Sequence, residues 1–113
     1  MGKEKAMLSQ PMAGRTDNEI VKTRERAIRI LEEKGYAVVN TLFTDEFCNR
    51  ENMERRGVVQ IPLCFLANSL ESMSLCHAVF FCKGWESARG CRIEHQVALD
   101  YGLKIIYEEE CDG

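Results

Sequence analysis

Hydrophobic and polar positions change along the chain in blocks that predict strands and helices in alternation. The apolar segment 5–9 predicts a first strand, and Pro and Gly mark the following residues, 10–15, as a loop. Thr16 and Glu19 form a capping box, which predicts that a helix begins there. The apolar stripe of that helix consists of Ile20, Val21, Ala27, Ile28 and Leu31. The first third of the chain therefore predicts a strand, a loop and an amphipathic helix.

The later apolar segments continue the alternation, with one polar stretch between them. Lys34 and Gly35 are typical of a helix end, a basic last turn followed by a glycine. Residues 41–61 are mostly polar and predict no clear element, whereas Pro62 suits the first turn of a helix. The elements predicted after the first helix are a strand at 36–40 buried on both sides, a helix from 62 to 75, a strand at 77–82, a helix from about 87 to 101 and a strand at 103–107. This order is typical of an open α/β sheet with helices on both faces.

Composition and length narrow the class of protein. The chain has 113 residues, 45% of them hydrophobic, which indicates one globular domain spanning residues 1–113. Its net charge is −3 and its cations are not clustered, so we expect no nucleic-acid polymer as a partner. No apolar run approaches the roughly 18 residues of a membrane span, and the charged N-terminus does not resemble a signal peptide. The sequence therefore predicts a cytoplasmic protein without a membrane partner.

Six cysteines raise the question of a metal site or a disulfide framework. They are Cys48, Cys64, Cys76, Cys82, Cys91 and Cys111. None belongs to a C-x-x-C pair and the chain has only two His, whereas structural zinc sites normally show close ligand pairs. Most of them lie in apolar segments, where a free thiol behaves as a small hydrophobic side chain. We therefore favour free thiols over a metal or disulfide role, and expect neither a metal nor a cofactor.

Two loops combine Gly, Ser and Arg just before a predicted helix. The first contains Ser9, Gln10, Pro11, Met12, Ala13, Gly14 and Arg15, and the second contains Gly84, Trp85, Glu86, Ser87, Ala88, Arg89 and Gly90. Both follow the carboxyl end of a strand, which is where open α/β sheets bind ligands. Free backbone N–H groups at a helix N-terminus suit a phosphate, and Arg adds a bidentate clamp. The pair of loops therefore predicts an anion site, although each loop alone also fits a simple turn with an N-cap.

Glu94 lies near the centre of the apolar face of the last long helix. That face consists of Gly90, Cys91, Val97, Ala98 and Tyr101. A carboxylate on a buried face is destabilising unless it is paired, so it either has a structural partner or is kept for a function. The structural alternative pairs Glu94 with Arg15 or a backbone N–H, whereas the functional one makes it a nucleophile or a ribose ligand. His95 points about 100° away and is expected to face solvent.

Residues of both loops and of the Glu94 helix together match a known pattern. They are residues 9–15, Gly84, Trp85, Glu86, Arg89, Gly90, Cys91, Arg92, Glu94, His95, Ala98, Ile105, Ile106 and Tyr107. This pattern resembles the nucleoside 2-deoxyribosyltransferase-like superfamily, and within it a small bacterial and phage branch of unassigned function. The resemblance covers nearly the whole chain and is weakest between residues 41 and 62. It implies a flavodoxin-like or Rossmann-like open parallel sheet of four to five strands.

The resemblance also implies chemistry at the N-glycosidic bond of a (deoxy)nucleoside or its 5′-monophosphate. Relatives use a Glu that matches Glu94 to attack the anomeric carbon of the sugar. Relatives that act on nucleotides bind the 5′-phosphate with a Ser and backbone amides before that helix, and with an Arg from the first loop. Ser87 and Arg15 are the matching positions. Ser9, Gln10, Pro11, Met12, Gly14, Gly84, Trp85, Glu86, Arg89 and Gly90 complete the expected substrate-binding set. Relatives assemble as homodimers or larger homo-oligomers.

Two departures from the family pattern bear on catalysis. Relatives carry an Asp-Leu pair near the start of the helix before the third strand, where this chain has Ser69 and Leu70. Ser does not act as an acid near neutral pH, and Glu71 lies about 200° around the helix from Ser69. Many relatives also have an acidic residue where His77 begins the third strand.

Three functions stay open. The first is an N-glycosidase or deoxyribosyltransferase with Glu94 as nucleophile, and the second is a non-catalytic module that senses or sequesters a nucleotide. The third is an interaction protein whose loops are only turns. Glu94 on an apolar face favours the first two, whereas Ser69 favours binding over catalysis. Trp85 could stack on a base in either case, and a core or interface Trp fits equally well.

Overall fold

The strands form one parallel sheet. A computed structural model describes residues 2–39 and 48–111. The strands are β1 (Lys5–Ser9), β2 (Ala37–Val39), β3 (Ala78–Phe81) and β4 (Lys104–Tyr107). Each is paired in parallel with its neighbour, in the order β2-β1-β3-β4, so the predicted open α/β sheet is confirmed, with four strands among the described residues. Asn40, the end of the predicted strand 36–40, lies outside the described residues.

The helices connect the strands and cover the sheet. They are α1 (Asp17–Glu33), α2 (Arg50–Arg56), α3 (Ile61–Met73), α4 (Arg89–Asp100) and α5 (Glu108–Cys111). A single 3₁₀ turn at Trp85–Ser87 precedes α4, so this helix begins two residues later than predicted. Pro62 lies in the first turn of α3, as predicted. The described residues contain no helix that is long and apolar enough to cross a membrane.

The start of α1 has the predicted capping box. The Thr16 hydroxyl accepts a hydrogen bond from the Glu19 N–H at 3.1 Å, and the Glu19 carboxylate accepts one from the Thr16 N–H at 3.2 Å. The bond from the Thr16 N–H to the carboxylate, together with one from the Thr16 hydroxyl at 3.0 Å, lowers the pKa of Glu19. The predicted apolar stripe is wrong at Val21, which is 40% exposed. Arg24 is instead among the buried residues of α1.

Each face of the sheet has its own core because side chains alternate along a strand. On one face, Leu8 and Phe80 pack in a cluster with Ala27 and Leu31 of α1. On the other face, Met7, Val79 and Phe81 pack in a cluster with Met73 of α3 and Ala98 of α4. Burying each large apolar side chain contributes about 1.5–3 kcal/mol. The helices therefore lie on both faces, as predicted.

The segment 36–40 does not form a strand buried on both sides. Because β2 is an edge strand and pairs with β1 alone, Ala37 is exposed and Val38 and Val39 are only half-buried. Tyr36 is buried, but it precedes the strand. The apolar run correctly predicted a strand, but the prediction that this strand is buried on both sides is wrong, because it lies at the edge of the sheet.

The polar stretch between β2 and α3 contains α2, a helix that the apolar pattern did not predict. Asn49 caps it by accepting a hydrogen bond from the Asn52 N–H at 2.7 Å. Gly57 ends it in a left-handed conformation, with φ of 74°. Only Met53 is buried, so the helix has almost no apolar stripe to detect. The cap residues Asn49 and Gly57 were the features of the sequence that could have predicted this helix.

All six cysteines are free thiols. Cys64, Cys76, Cys82 and Cys91 are buried, and burial raises the pKa of Cys82 to about 12. A thiol with such a pKa is neutral at physiological pH. Within residues 2–39 and 48–111, no group of three or more His, Cys, Asp or Glu side chains is placed to hold a metal ion.

Candidate functional site

A cleft opens at the carboxyl ends of β1 and β3. The connection from β1 runs through α1 to β2 on one side of β1, whereas β3 lies on its other side. The loops after β1 and β3 therefore diverge, which is the usual position of a ligand crevice in this type of sheet. The cleft has a volume of ≈ 1030 Å³ and is bordered by the first loop, α3 and the start of α4.

Glu94 is the buried carboxylate of this cleft. Its side chain lines the cleft, although the residue is only 7% exposed. The Ser9 hydroxyl at the end of β1 donates a hydrogen bond of 2.5 Å to Glu94 Oε1, and the Ser69 side chain of α3 also hydrogen-bonds this carboxylate. Burial raises the pKa of Glu94, and the two hydroxyls partly oppose that rise. Among the described residues, its partners are thus the Ser9 and Ser69 hydroxyls, rather than the Arg15 side chain or the backbone N–H that the structural alternative named.

Cys91 lies one turn before Glu94 on α4 and also lines the cleft. Burial raises the pKa of its thiol to about 11, and its contact with the Ser9 side chain opposes the rise. Ser9 itself is only 1% exposed. It therefore lies beneath the cleft, where it holds Glu94 and Cys91, rather than on the cleft surface as a ligand contact.

Gln10 and Met12 bring the first loop to the cleft wall. The Gln10 amide donates to the Ile20 carbonyl at 2.7 Å and accepts from Arg24 Nη1 at 3.2 Å. Arg24 is only 6% exposed and lines the cleft beside Gln10. Arg24 was not predicted as a site residue because an Arg on an amphipathic helix is normally solvated, and no sequence signal marks this one as buried.

Arg15 connects the two loops. A Cβ atom added to Gly84 would lie 2.8 Å from Arg15 Nη2, and Gly84 has a left-handed φ of 86°. The guanidinium therefore passes directly over the second loop, beside the buried Pro11. None of these three residues lines the cleft, and neither does the exposed Gly14, whose φ is 77°.

The start of α4 faces the cleft. Ser87, Ala88, Arg89 and Gly90 all line it. The N-cap residue Ala88 makes no side-chain cap, so it cannot satisfy the first backbone N–H groups of α4. The Ser87 hydroxyl donates to the Gly84 carbonyl at 2.8 Å, so it can donate to an anion only after turning away from that carbonyl. This helix start has the donors and the dipole that bind anions.

Trp85 belongs to an aromatic cluster outside the cleft lining. Its ring stacks on His95 at 4.2 Å and also contacts Phe81 and Tyr107. The His95 Nε2 is hydrogen-bonded to the Tyr107 hydroxyl at 2.6 Å. His95 is therefore half-buried, and the prediction that it faces solvent is wrong. These contacts favour the core role of Trp85 over stacking on a base.

The structure brings about half of the predicted site residues to the cleft. Those that line it are Gln10, Met12, Ser87, Arg89, Gly90 and Glu94. Those behind or beside it are Ser9, Pro11, Gly14, Arg15, Gly84, Trp85 and Glu86. Glu86 is exposed, and its carbonyl accepts from Arg92 Nη1 at 3.0 Å. Tyr101, predicted on the buried face of α4, is 82% exposed because the helix ends before it.

Helix α3 contributes a wall of the cleft that was not predicted from the sequence. Residues of α3 and the residue before it line one side of the cleft: Gln60, Pro62, Leu63, Phe65, Leu66, Asn68 and Ser69. Leu63 is 59% exposed and Phe65 is 50% exposed. A helix that packs on one face alone needs only one apolar stripe. The start of α3 is apolar on all sides, and this could have indicated from the sequence that it has a second apolar surface.

Comparison with known proteins gives a family for this fold and site. A family model described as "Domain of unknown function (DUF4406)" matches residues 4–107. No curated protein and no solved structure matches the chain. Because the matched region includes all four strands and every residue assigned above to the cleft, the chain belongs to the DUF4406 family.

Proposed function

We propose that this protein breaks or exchanges the N-glycosidic bond of a nucleoside or 5′-nucleotide, with Glu94 as the nucleophile. The observation that carries the proposal is the position of Glu94, a buried carboxylate that lines the cleft at the carboxyl ends of β1 and β3. Hydroxyls rather than a cation hold it, so its charge is not neutralised by a neighbour among the described residues. The resemblance to nucleoside 2-deoxyribosyltransferase-like proteins at this segment supports the same chemistry.

The proposed reaction retains the configuration at the anomeric carbon. A Glu94 oxygen attacks C1′ as the C1′–N bond breaks, the base departs with the electron pair of that bond and takes a proton from solvent, and a covalent glycosyl–enzyme forms. Water or a second base then attacks C1′ and releases the carboxylate, giving hydrolysis or transfer. Ser9 and Ser69 hold the carboxylate in one orientation during both steps.

The start of α4 is the proposed 5′-phosphate site. Its backbone N–H groups and the Arg89 guanidinium lie on the cleft wall one to two turns before Glu94, and the Ser87 hydroxyl joins them if it turns away from the Gly84 carbonyl. Arg15 supports this site by packing over the loop that contains Ser87. A homo-oligomer in a reducing cytoplasm completes the proposal, as the resemblance and the six free thiols suggest.

The experiment is a substrate panel. The protein is incubated with ribo- and deoxyribonucleosides and their 5′-monophosphates, and free base is measured by chromatography. Base release is expected from the unaltered protein and from Glu71→Gln, an exposed control on α3, but not from Glu94→Gln. Release that persists in Glu94→Gln would overturn the proposal.

A non-catalytic nucleotide-binding module is the second candidate. It is favoured by Ser69, which places a hydroxyl beside Glu94 at the position where relatives carry an Asp, and by burial, which raises the pKa of Glu94. Nucleotide binding that weakens in Ser87→Ala and Arg89→Ala, with no base released by any protein, would establish this candidate instead.

A further inference from the structure

The polar side chains of the cleft are unusual for a site that releases a neutral base. Among the described residues that line it, Glu94 is the only carboxylate, and there is no His, Lys or Tyr. The remaining polar groups are amides such as Gln10, hydroxyls such as Ser69, the Cys91 thiol and two guanidiniums. Near neutral pH, none of these readily gives a proton to a leaving nitrogen.

A neutral base needs such a proton. When the C1′–N bond breaks, its electron pair goes to the base nitrogen, which becomes an anion unless an acid protonates it. Glu94 cannot supply this proton while it attacks C1′, because the attacking form is the ionised carboxylate. Burial raises the pKa of the Cys91 thiol to about 11, so this thiol keeps its proton near neutral pH and is a poor acid.

A leaving ring that is already cationic avoids this problem. The electron pair of the breaking bond then neutralises the ring, and the ring departs as a neutral molecule without a proton. The positive charge moves to the sugar carbon and its ring oxygen, next to the Glu94 carboxylate that attacks it. The ring is flat, and Met12, Leu63 and Leu66 form an apolar wall on which a flat ring can pack.

We propose that the substrate is an N-glycoside 5′-phosphate whose leaving ring carries a positive charge, such as an N-ribosylpyridinium or an N7-alkylated purine nucleotide. This inference rests on the proposed function. Glu94 forms the ester bond to C1′ while the C1′–N bond breaks and the ring takes its electron pair. Water then attacks C1′, the ester bond returns its electron pair to Glu94, and the proton of the attacking water goes to solvent.

The experiment compares two substrates that differ by one methyl group. 7-Methylguanosine 5′-monophosphate is cationic in its purine ring, whereas guanosine 5′-monophosphate is neutral; the 2′-deoxy forms of both and nicotinamide mononucleotide are tested beside them. We expect kcat/KM to be higher for the cationic partner by at least about 100-fold, which is the usual contribution of a general acid. Reactions without protein and with Glu94→Gln give the background.

The test depends on the ratio of kcat/KM between the cationic and the neutral substrate. A cationic ring also leaves faster than a neutral one without an enzyme. An enzyme with a general acid protonates the neutral ring and so makes the two cleavage rates more alike, whereas an enzyme without such an acid leaves the full difference between them. Rates within about 10-fold for the two methylation states would overturn this inference and leave the proposed function standing. Failure to cleave any member of either set, with Glu94 intact, would overturn both.

Discussion

Two buried glutamates lie near the carboxyl edge of this sheet, and their surroundings differ. Glu108 follows β4 and is fully buried, and its carboxylate forms an ion pair with Arg26 and accepts the Lys83 N–H at 2.8 Å. Glu94 is 7% exposed and is held by the Ser9 and Ser69 hydroxyls. Glu108 thus has a cationic partner and does not line the cleft, whereas Glu94 lines the cleft and has no cationic partner among the described residues.

The comparison separates a structural acid from a reactive one. An opposite charge offsets the desolvation of a buried carboxylate, and a cationic partner also occupies its oxygens. Hydroxyls orient a carboxylate but leave its charge in place, so desolvation raises the pKa of Glu94. Such perturbed groups in clefts are concentrated at functional sites. The four predictions below test this division.

The largest expected effect is the loss of activity in Glu94→Ala. We expect kcat/KM for base release to fall by at least about 1000-fold, because the covalent step has no nucleophile. The cavity left by the side chain admits a small anion, so added formate should restore part of the rate by attacking C1′ directly. Glu108→Gln is the matched variant, and its activity per folded molecule should be unchanged. Equal losses in the two variants would remove the distinction between the two glutamates.

The second largest expected effect is a loss of stability in Glu108→Gln. Glu108→Gln loses its ion pair with Arg26, so we expect the free energy of unfolding to fall by about 1–3 kcal/mol. The effect is limited because the Arg26 side chain is 47% exposed and can be hydrated once the pair is lost. Urea denaturation followed by circular dichroism measures it. A stability equal to that of the unaltered protein would show that this ion pair adds nothing to the fold.

A smaller loss of activity is expected from Ser9→Ala. This change removes the hydroxyl that orients Glu94 without removing the nucleophile, so kcat should fall by about 10-fold. Because Ser9 is only 1% exposed, KM should change little. The pH profile should also move: activity rises with pH as Glu94 ionises, and losing a donor to its charged form shifts that rise to higher pH. A change in KM alone would mean that Ser9 contacts the ligand.

The smallest expected effect is a gain in stability in Glu94→Gln. Burial raises the folded-state pKa of Glu94 above its unfolded value, so the folded protein holds the proton more tightly. The unaltered protein therefore loses stability as the pH rises from the unfolded pKa through the folded one, whereas the Gln variant does not. At pH 7 the variant should melt a few degrees higher, and below pH 4 the advantage should vanish. Thermal melts at both pH values test this, and a lower Tm at pH 7 would contradict it.

The sequence indicates the strands and the two loops because those features have short-range signatures. Thr16 with Glu19 and the apolar run before Cys82 are complete within a few residues. The environment of Glu94 is different, because Ser9 and Ser69 come from elements distant in the chain and meet it only in the folded sheet. Periodicity placed Glu94 on a buried face without naming these partners.

Residues whose position depends on tertiary packing were the ones misjudged. Arg24 is buried because the first loop folds back over it through Gln10, and His95 is covered because the Trp85 ring stacks on it. Part of the apolar surface of α3 forms a wall of the cleft, which the prediction of a helix from 62 to 75 did not indicate. In each case, a neighbour distant in sequence overrode the local pattern.

The left-handed turn at Gly84 restricts how this protein can diverge. Any other residue at position 84 would have an unfavourable backbone geometry, and the Arg15 guanidinium would also have to move aside for its side chain. The exposed apolar side chains of α3 have no such restriction, and Leu63 or Phe65 can be exchanged singly. Homologous proteins should therefore keep a glycine at position 84 and acquire new ligand preferences mainly through substitutions in α3.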